Sequence, residues 1–223
     1  MNELTLIIPA KNEAESLPIV LDELKKYNYK IDIILHISDL DTIQAIREYD
    51  VNIIYQENLG YGDALIQGIK QCKTKYFCIF NADGSFNPSE INQMFKTLQS
   101  KKLDFIFASR YGANSGSDDD TVLTLVGNYI FTYIGKIFFK LNITDILYTF
   151  VIGKTEQAKK LNLNQKDFSF CVELPIKAKK MKMQLGNINS YERKRIAGKK
   201  KVNAFKDGFL ILKHMIRLFF TKL

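Results

Sequence analysis

Residues 76–100, YFCIFNADGSFNPSEINQMFKTLQS, contain an apolar run, a short polar turn and a segment with helical periodicity. The run Tyr76–Phe80 has the composition of a buried strand. Pro88 suits the first turn of a helix, which we predict over Pro88–Ser100. A strand that leads directly into a helix is the repeating unit of a parallel sheet covered by helices.

The same alternation extends through the first half of the chain. Further predicted strands are Leu4–Ile8, Ile31–Leu35, Val51–Tyr55 and Phe105–Ala108, and further predicted helices are Glu13–Lys26, Thr42–Tyr49 and Gly62–Gln71. We therefore predict an α/β fold with a mostly parallel sheet between helices. In such sheets ligands bind at the carboxyl ends of the strands, so the loops after the strands should carry the site.

The overall composition fits one α/β domain. The chain has 223 residues, 46% of them hydrophobic, and two full domains would be cramped. Its net charge of +8 favours a negatively charged partner, such as anionic lipid, a phosphorylated substrate or nucleic acid. Three cysteines without CxxC spacing indicate buried thiols in a reducing compartment.

The N-terminal sequence MNELTLIIPAKNEAE predicts no signal peptide, because no basic leader precedes a long apolar run. Nowhere do 18 uninterrupted apolar residues occur, so we also predict no ordinary transmembrane helix. The expected location is cytoplasmic.

The turn after Tyr76–Phe80 is the strongest candidate for a metal site. Asp83 follows a predicted strand directly, and Asn81 offers a neutral oxygen beside it. Mg²⁺ or Mn²⁺ is commonly held by one or two carboxylates together with substrate phosphates. The alternative is an ordinary strand-to-helix turn, in which Asn, Asp and Gly are common.

Three other segments, taken in order with this turn, carry a family resemblance. They are IIPAKNEAESL at Ile7–Leu17, NLGYGDALIQG at Asn58–Gly68 and RIAGKKK at Arg195–Lys201. Together they resemble the family 2 inverting glycosyltransferases of the GT-A fold, and within them the dolichyl-phosphate mannose synthase and polyprenyl-phosphate glycosyltransferase branch. The resemblance covers roughly residues 4 to 205.

The resemblance implies roles for particular residues. Pro9, Ala10, Glu13 and Asp39 or Asp41 would line the nucleotide, and Asn81-Ala82-Asp83 takes the place of the family's DAD triplet. Asp83 and Asn81 would bind the metal, with Glu173 as an acidic position near it. Arg110, within Ser109–Tyr111, matches the family's (T/S)RY, and Arg195 and Lys201 would contact phosphate when a loop closes.

The chain departs from the family pattern at several positions. Asn81 replaces the first aspartate of the triplet, Lys11 replaces a tyrosine, and His36–Asp41 replaces DDGSxD. Lys200 stands where the third signature has serine. These changes leave the identity of the nucleotide open, and the loss of one negative charge at Asn81 should weaken metal binding.

The acceptor decides which catalytic groups are needed. A hydroxyl acceptor requires a general base, for which Asp145 and Asp104 are candidates. A polyprenyl phosphate is already anionic near neutral pH and instead requires cations, for which Arg110, Arg193 and Lys199–Lys201 are available. We favour the phosphate acceptor, with Asp145 shaping the site.

The C-terminal segment is predicted to be an amphipathic helix over residues 203–223, following a GT-A domain over residues 1–202. Apolar residues at helical spacing are interspersed with Lys206, Lys213, Arg217 and Lys222. This pattern favours docking on a membrane surface, helped by the apolar stretch Val122–Leu141. Core packing or dimer formation would give similar spacing.

The sequence therefore predicts a metal-dependent, inverting transfer of sugar from a nucleotide-sugar donor, GDP- or UDP-linked, to a polyprenyl phosphate at the cytoplasmic face of a membrane. Two alternatives stay open: transfer to a saccharide or other hydroxyl, and a catalytically weak sugar-nucleotide or membrane-binding protein. A membrane subunit that anchors the chain also stays open. Nucleic-acid binding would explain the charge but none of the motif order.

Overall fold

Seven strands form one sheet, six of which run in the same direction. The computed structural model describes residues 3–198 and 201–221. The strands of the main sheet are β1 Leu4–Pro9, β2 Lys30–Leu35, β3 Asn52–Tyr55, β4 Tyr76–Ile79, β5 Phe105–Ser109, β7 Val151–Lys154 and β8 Leu185–Asn189. Their order is β3-β2-β1-β4-β7-β5-β8, and β7 lies antiparallel between β4 and β5.

Eight α-helices flank this sheet in the described part of the chain. They are α1 Leu17–Leu24, α2 Leu40–Ala45, α3 Tyr61–Gln71, α4 Glu90–Ser100, α5 Val122–Phe139, α6 Thr155–Lys160, α7 Phe170–Lys180 and α8 Ala204–Phe220. A short parallel pair, β6 Gly116–Ser117 and β9 Tyr191–Glu192, joins two loops beside the sheet. The predicted α/β class with a mostly parallel sheet and a C-terminal helix is confirmed.

The strands bury alternate side chains on opposite faces of the sheet. On one face Ile7, Ile34 and Phe77 belong to a core that includes residues of α3, α7 and α8. On the other face Leu6, Ile33 and neighbouring side chains pack with residues of α1 and α4. Because both faces are covered, the strands have nearly continuous apolar sequences, as expected for a buried parallel sheet.

Local chemistry explains where several elements begin. Helix α1 begins at Leu17, four residues later than the predicted Glu13, and Pro18 lies in its first turn. The residues before it form the loop after β1. Helix α5 begins with a capping box, in which Thr121 and Thr124 exchange hydrogen bonds between side chain and backbone.

The C-terminal helix packs on the main body of the protein. Ile211, Met215 and Leu218 of α8 are buried in the same core as residues of α7. The division of the chain at residues 202 and 203 stays a prediction. The sequence predicts no membrane-spanning helix, but α5, with mean hydropathy 1.4, is long and apolar enough to cross a membrane by length and composition.

Candidate active site

The carboxyl ends of the parallel strands β1 to β5 border a cleft of about 520 Å³. Its lining includes Ala10 after β1, Asp39 after β2, Gly60 after β3, Asp83 after β4 and Arg110 after β5. These residues are distant in sequence and meet because parallel strands bring their carboxyl ends to one edge of the sheet. The cleft is therefore where the fold concentrates polar groups.

The turn after β4 holds its acidic group in a defined position. The backbone N–H of Ser85 donates to Asp83 Oδ1 at 3.0 Å, and Asn81 Nδ2 donates to Ser85 Oγ at 3.3 Å. Gly84 has φ +79°, a left-handed conformation that favours glycine. Arg195 Nη1 lies 3.5 Å from Asp83 Oδ2, so a cation already faces this carboxylate.

The donor set at this turn fits a hard divalent cation that also has ligands from outside the protein. Within residues 3–198 and 201–221, no group of three or more His, Cys, Asp or Glu side chains could hold a metal. Asp83 offers one carboxylate, and Asn81 lies beside it in the cleft lining. Mg²⁺ and Mn²⁺ suit such a partial set when substrate phosphates supply further oxygens.

Two carboxylates, those of Asp39 and Glu13, hold the loop after β1 in place. Asp39 caps α2 by accepting from Thr42 N at 3.4 Å, and it also accepts from Asn12 N at 2.7 Å. Glu13 accepts from Ser16 Oγ at 2.7 Å and pairs with Lys201 Nζ. Pro9, Ala10, Glu13 and Asp39 all line the cleft, so the sequence-predicted nucleotide residues lie together.

Arg110 is the centre of a buried charge network. Its guanidinium, 9% exposed, contacts Asp145 at 2.8 Å, Glu192 at 3.0 Å and Asp120 at 3.4 Å. Burial alone would lower the pKa of Arg110, but the three carboxylates, Asp145 foremost, together hold it well above its ordinary value. Its charge is thus fixed and its side chain held from three sides.

A family model describes most of this architecture. The model for glycosyl transferase family 2 matches residues 5–161, from β1 to the end of α6. The chain belongs to glycosyl transferase family 2. The predicted enzyme class, a glycosyltransferase, is therefore confirmed, and the match includes the Asp83 turn and Arg110.

Two relatives match most of the chain at low identity. The UDP-N-acetylglucosamine–dolichyl-phosphate N-acetylglucosaminyltransferase of Methanococcus voltae is 24% identical over 207 residues, which cover 82% of each chain. An uncharacterized protein of Methanocaldococcus jannaschii is 25% identical over 194 residues, covering 84% of this chain and 80% of that protein.

Solved structures share the fold of the glycosyltransferase. The glucosyl-3-phosphoglycerate synthase of Mycobacterium tuberculosis, in complex with Mn²⁺, uridine diphosphate and glucosyl-3-phosphoglycerate, superposes with a TM-score of 0.74. The match covers 97% of this chain and 78% of that chain at 12% identity. At this identity the likeness shows the fold alone, which is the predicted GT-A fold.

Neither of the two acids predicted as candidates for a general base lines the cleft. Asp145 is completely buried, and both its oxygens accept hydrogen bonds from Arg110 and Asn128. It does not line the cleft and acts as the anchor of Arg110. Asp104 precedes β5, at the opposite edge of the sheet, where it pairs with Lys154 at 2.9 Å.

Glu173, predicted as an acidic position near the metal, lies instead in a buried ion pair. Its carboxylate is fully buried in α7, pairs with Lys177 at 2.7 Å and accepts from the backbone N–H groups of Asn164 and Gln165. It is not among the residues that line the cleft. Glu173 therefore fastens the loop before α7, and its oxygens are already used.

The basic segment after β9 divides into anchors and cleft residues. Arg195 forms hydrogen bonds with Asp119 and faces Asp83, and Lys201 contacts Glu13 and the carbonyl of Lys11. Arg193 instead pairs with Glu23 at 2.9 Å, outside the cleft lining, which argues against its use for phosphate. Lys199 and Lys200 lie outside the described residues.

Sequence reasoning missed several polar groups of the cleft wall. Glu192 and Asp120 line the cleft beside Arg110, and Ser117 Oγ donates to Glu192. Burial raises the pKa of Glu192, although Arg110 opposes the shift. The signal available was that Glu192 is the lone acid in the basic stretch from Lys177 to Lys201.

Proposed function

We propose that this glycosyltransferase moves a sugar from a nucleotide-sugar donor to a polyprenyl phosphate, with Mg²⁺ or Mn²⁺ at Asp83. The observation that carries the proposal is the position of Asp83, fixed by Ser85 at the carboxyl end of β4 in the same cleft as Arg195 and Lys201. A metal held by this carboxylate, together with the nearby cations, would offset the negative charge that grows on a leaving nucleoside diphosphate during transfer.

The donor would lie across the ends of β1, β2 and β4. Pro9, Ala10, Glu13 and Asp39, which line the cleft, would border the nucleotide, and Asn81, Ala82 and Asp83, which also line it, would border the diphosphate. A bound divalent cation would neutralise the diphosphate as the sugar bond breaks. Solved structures of the same fold hold Mn²⁺ with uridine diphosphate, which supports this assignment of the ion.

A phosphate acceptor is supported by the wall of the cleft that α5 provides. Thr124 and Asn128 of α5 line the cleft, while the opposite side of the same helix exposes apolar side chains. A lipid phosphate could thus reach the cleft while its chain stays on the apolar side. The Methanococcus voltae relative, named for a dolichyl-phosphate acceptor, is consistent with this choice.

A hydroxyl acceptor is the second candidate, and one observation favours it. Glu192 lines the cleft, and burial raises its pKa towards the range in which a carboxylate accepts a proton effectively. It would take the role of general base, for which Asp145 and Asp104 are the sequence-predicted candidates, because neither of them lines the cleft. A lipid phosphate needs no such base, because its oxygen is already anionic near neutral pH.

The test is transfer of radiolabelled sugar from a panel of UDP- and GDP-sugars to polyprenyl phosphate, with Mn²⁺, Mg²⁺ or a chelator. We expect metal-dependent label in the organic phase, reduced about a hundredfold in Asp83→Asn. Asp50→Asn, whose carboxylate is exposed and lies outside the cleft lining, is the matched control and should retain full activity.

A second arm separates the two acceptors. If a saccharide receives the label, and Glu192→Gln strongly lowers that transfer and removes its decline at acidic pH, the hydroxyl acceptor replaces the lipid phosphate. Absence of transfer from every donor to either acceptor would refute the proposal.

A further inference from the structure

Helices α5 and α8 both expose a stripe of large apolar side chains. On α5 Leu123, Val126 and Ile130 follow one another at helical spacing, and on α8 Phe209, Ile216 and Phe220 do the same. Each of these side chains is more than a third exposed. Apolar surface of this extent is unusual for a free soluble face and marks a contact surface.

The exposed stripes are separate from the faces that hold the helices in place. Helix α8 is attached through Ile211, Met215 and Leu218, which lie on its buried side. Helix α5 buries Asn128 and Phe139 on its inner side. The fold therefore does not use the exposed stripes, and they have no partner in the described part of the chain.

The two stripes form one continuous surface. The rings of Phe138 and Phe219, both about half exposed, lie 5.7 Å apart in an edge-to-face contact. Farther along, Gly208 of α8 lies beside the ring of Phe131 of α5. We name the surface formed by the exposed sides of α5 and α8 the α5–α8 face.

Charges on the two helices are almost all positive. Exposed basic side chains are Lys136, Lys206, Lys213 and Arg217, with Lys140 directly after α5. Asp207 is the one acidic residue within α5 and α8, and it lines the cleft. Tyr129 and Tyr133 are also exposed on α5, and tyrosine is enriched where protein meets the lipid headgroups.

We infer that the α5–α8 face docks on the surface of an anionic lipid bilayer, with both helices lying in the headgroup region. Apolar side chains flanked by basic ones gain both from burial at the acyl boundary and from attraction to anionic lipid. The link to the acceptor rests on the proposed function: docking would bring a lipid phosphate to the wall of the cleft that Thr124 and Asn128 form.

Helix α5 is long and apolar enough to cross a membrane, but its packing argues for a surface position. Its inner side lines the cleft and packs on the core through Phe139, so lipid cannot surround it. A second copy is a poorer occupant, because two α5–α8 faces would oppose like charges.

The experiment measures binding of the purified full chain to sedimented vesicles of phosphatidylglycerol and phosphatidylcholine at a 1:1 ratio, and of phosphatidylcholine alone. The variants are Ile130→Glu and Ile216→Glu, each at a side chain that is 54% exposed. The matched control is Ile19→Glu on α1, at a side chain that is 51% exposed. Sugar transfer to a short, water-soluble isoprenyl phosphate is measured in parallel without vesicles.

We expect binding to the anionic vesicles, weakened about tenfold or more in each of Ile130→Glu and Ile216→Glu and unchanged in Ile19→Glu. Retained transfer to the short acceptor in these variants would show that they are folded and that docking is separate from chemistry. Vesicle binding without any transfer would uphold the docking surface and count only against the proposed function.

Three results would overturn the inference. The first is absence of binding to anionic vesicles, and the second is equal loss of binding in Ile19→Glu. The third is a dimer in vesicle-free solution, detected by sedimentation velocity and abolished by Ile130→Glu and Ile216→Glu, which would assign the α5–α8 face to a second copy.

Discussion

Replacement of Asp145 by asparagine tests whether this acid anchors Arg110 or takes part in proton transfer. Its Oδ2 accepts from Arg110 N at 3.1 Å and Arg110 Nε at 2.8 Å. Its Oδ1 accepts from Arg110 Nη2 at 3.0 Å and Asn128 Nδ2 at 2.6 Å. In Asp145→Asn, an NH₂ group must face two of these four donors, and a buried charge is lost.

The expected loss of stability follows from this geometry. Removal of one partner from a buried ion pair costs about 3–5 kcal/mol. Asp120 and Glu192 still lie 3.4 Å and 3.0 Å from Arg110 Nη1, so the guanidinium keeps two countercharges. We therefore expect Asp145→Asn to lower the free energy of unfolding by about 3 kcal/mol, the low end of that range. The melting temperature should fall by roughly 6–12 °C.

Urea unfolding followed by circular dichroism measures the loss, with Asp41→Asn expected within about 0.5 kcal/mol of the parent. Transfer activity should fall because Arg110 is less well held, while the shape of its pH profile is retained. If Asp145→Asn keeps the stability of the parent but loses the acidic limb of the profile, Asp145 is a base and the anchoring role is wrong.

Three further substitutions or measurements probe the fold around the site. Gly84→Ala places a Cβ at φ +79° against the side chain of Ile196. The free energy of unfolding should therefore drop by about 1–2 kcal/mol, and the affinity for nucleoside diphosphate, measured by calorimetry, should weaken. Unchanged values of both quantities would refute the predicted backbone strain. Burial lowers the pKa of His214 below its ordinary 6.5, so stability is full above pH 6.5 and falls as pH decreases through the folded pKa. Urea titrations at several pH values should show that His214→Leu removes this component. An unfolding free energy that still falls with decreasing pH in His214→Leu as it does in the parent would contradict the prediction. Burial also raises the pKa of the Cys78 thiol, so a thiol reagent at pH 8 should label Cys78 only when the protein unfolds; rapid labelling of the native protein at this residue would show that it is accessible.

The fold was predictable from the sequence because the strands of a parallel sheet are short apolar runs between amphipathic helices. The strands β1 to β5 were predicted within a residue or two of their observed bounds. Strand β7 was missed because four residues, VIGK, carry no alternation, and its antiparallel pairing between β4 and β5 depends on tertiary contacts. The sequence LGNIN of β8 is too polar to indicate a strand at the edge of the sheet.

The candidate site was predictable where position along a strand determines position in the cleft. Asp39 and Asp83 follow strands directly, and the topology brings them to one edge. The sequence does not show which acids are already paired. Asp145 is taken up by Arg110, 35 residues away, and Glu192 reaches the same guanidinium across 82 residues, so only the folded chain separates the anchor from the cleft acid.

The charge of the cleft differs in sign from the charge of the whole chain, and this difference bears on how a donor binds. Eight acidic residues but only four lysines and arginines line the cleft among the described residues, whereas the chain carries +8 overall. A nucleoside diphosphate that enters such a cleft is repelled unless cations bind with it or are already present in the cleft. Arg195 and Lys201 are paired with cleft acids, so their charges are already partly balanced. A divalent cation at Asp83 would offset the charge of that carboxylate and weaken its hold on Arg195, so under the proposed function metal binding and donor binding would favour each other.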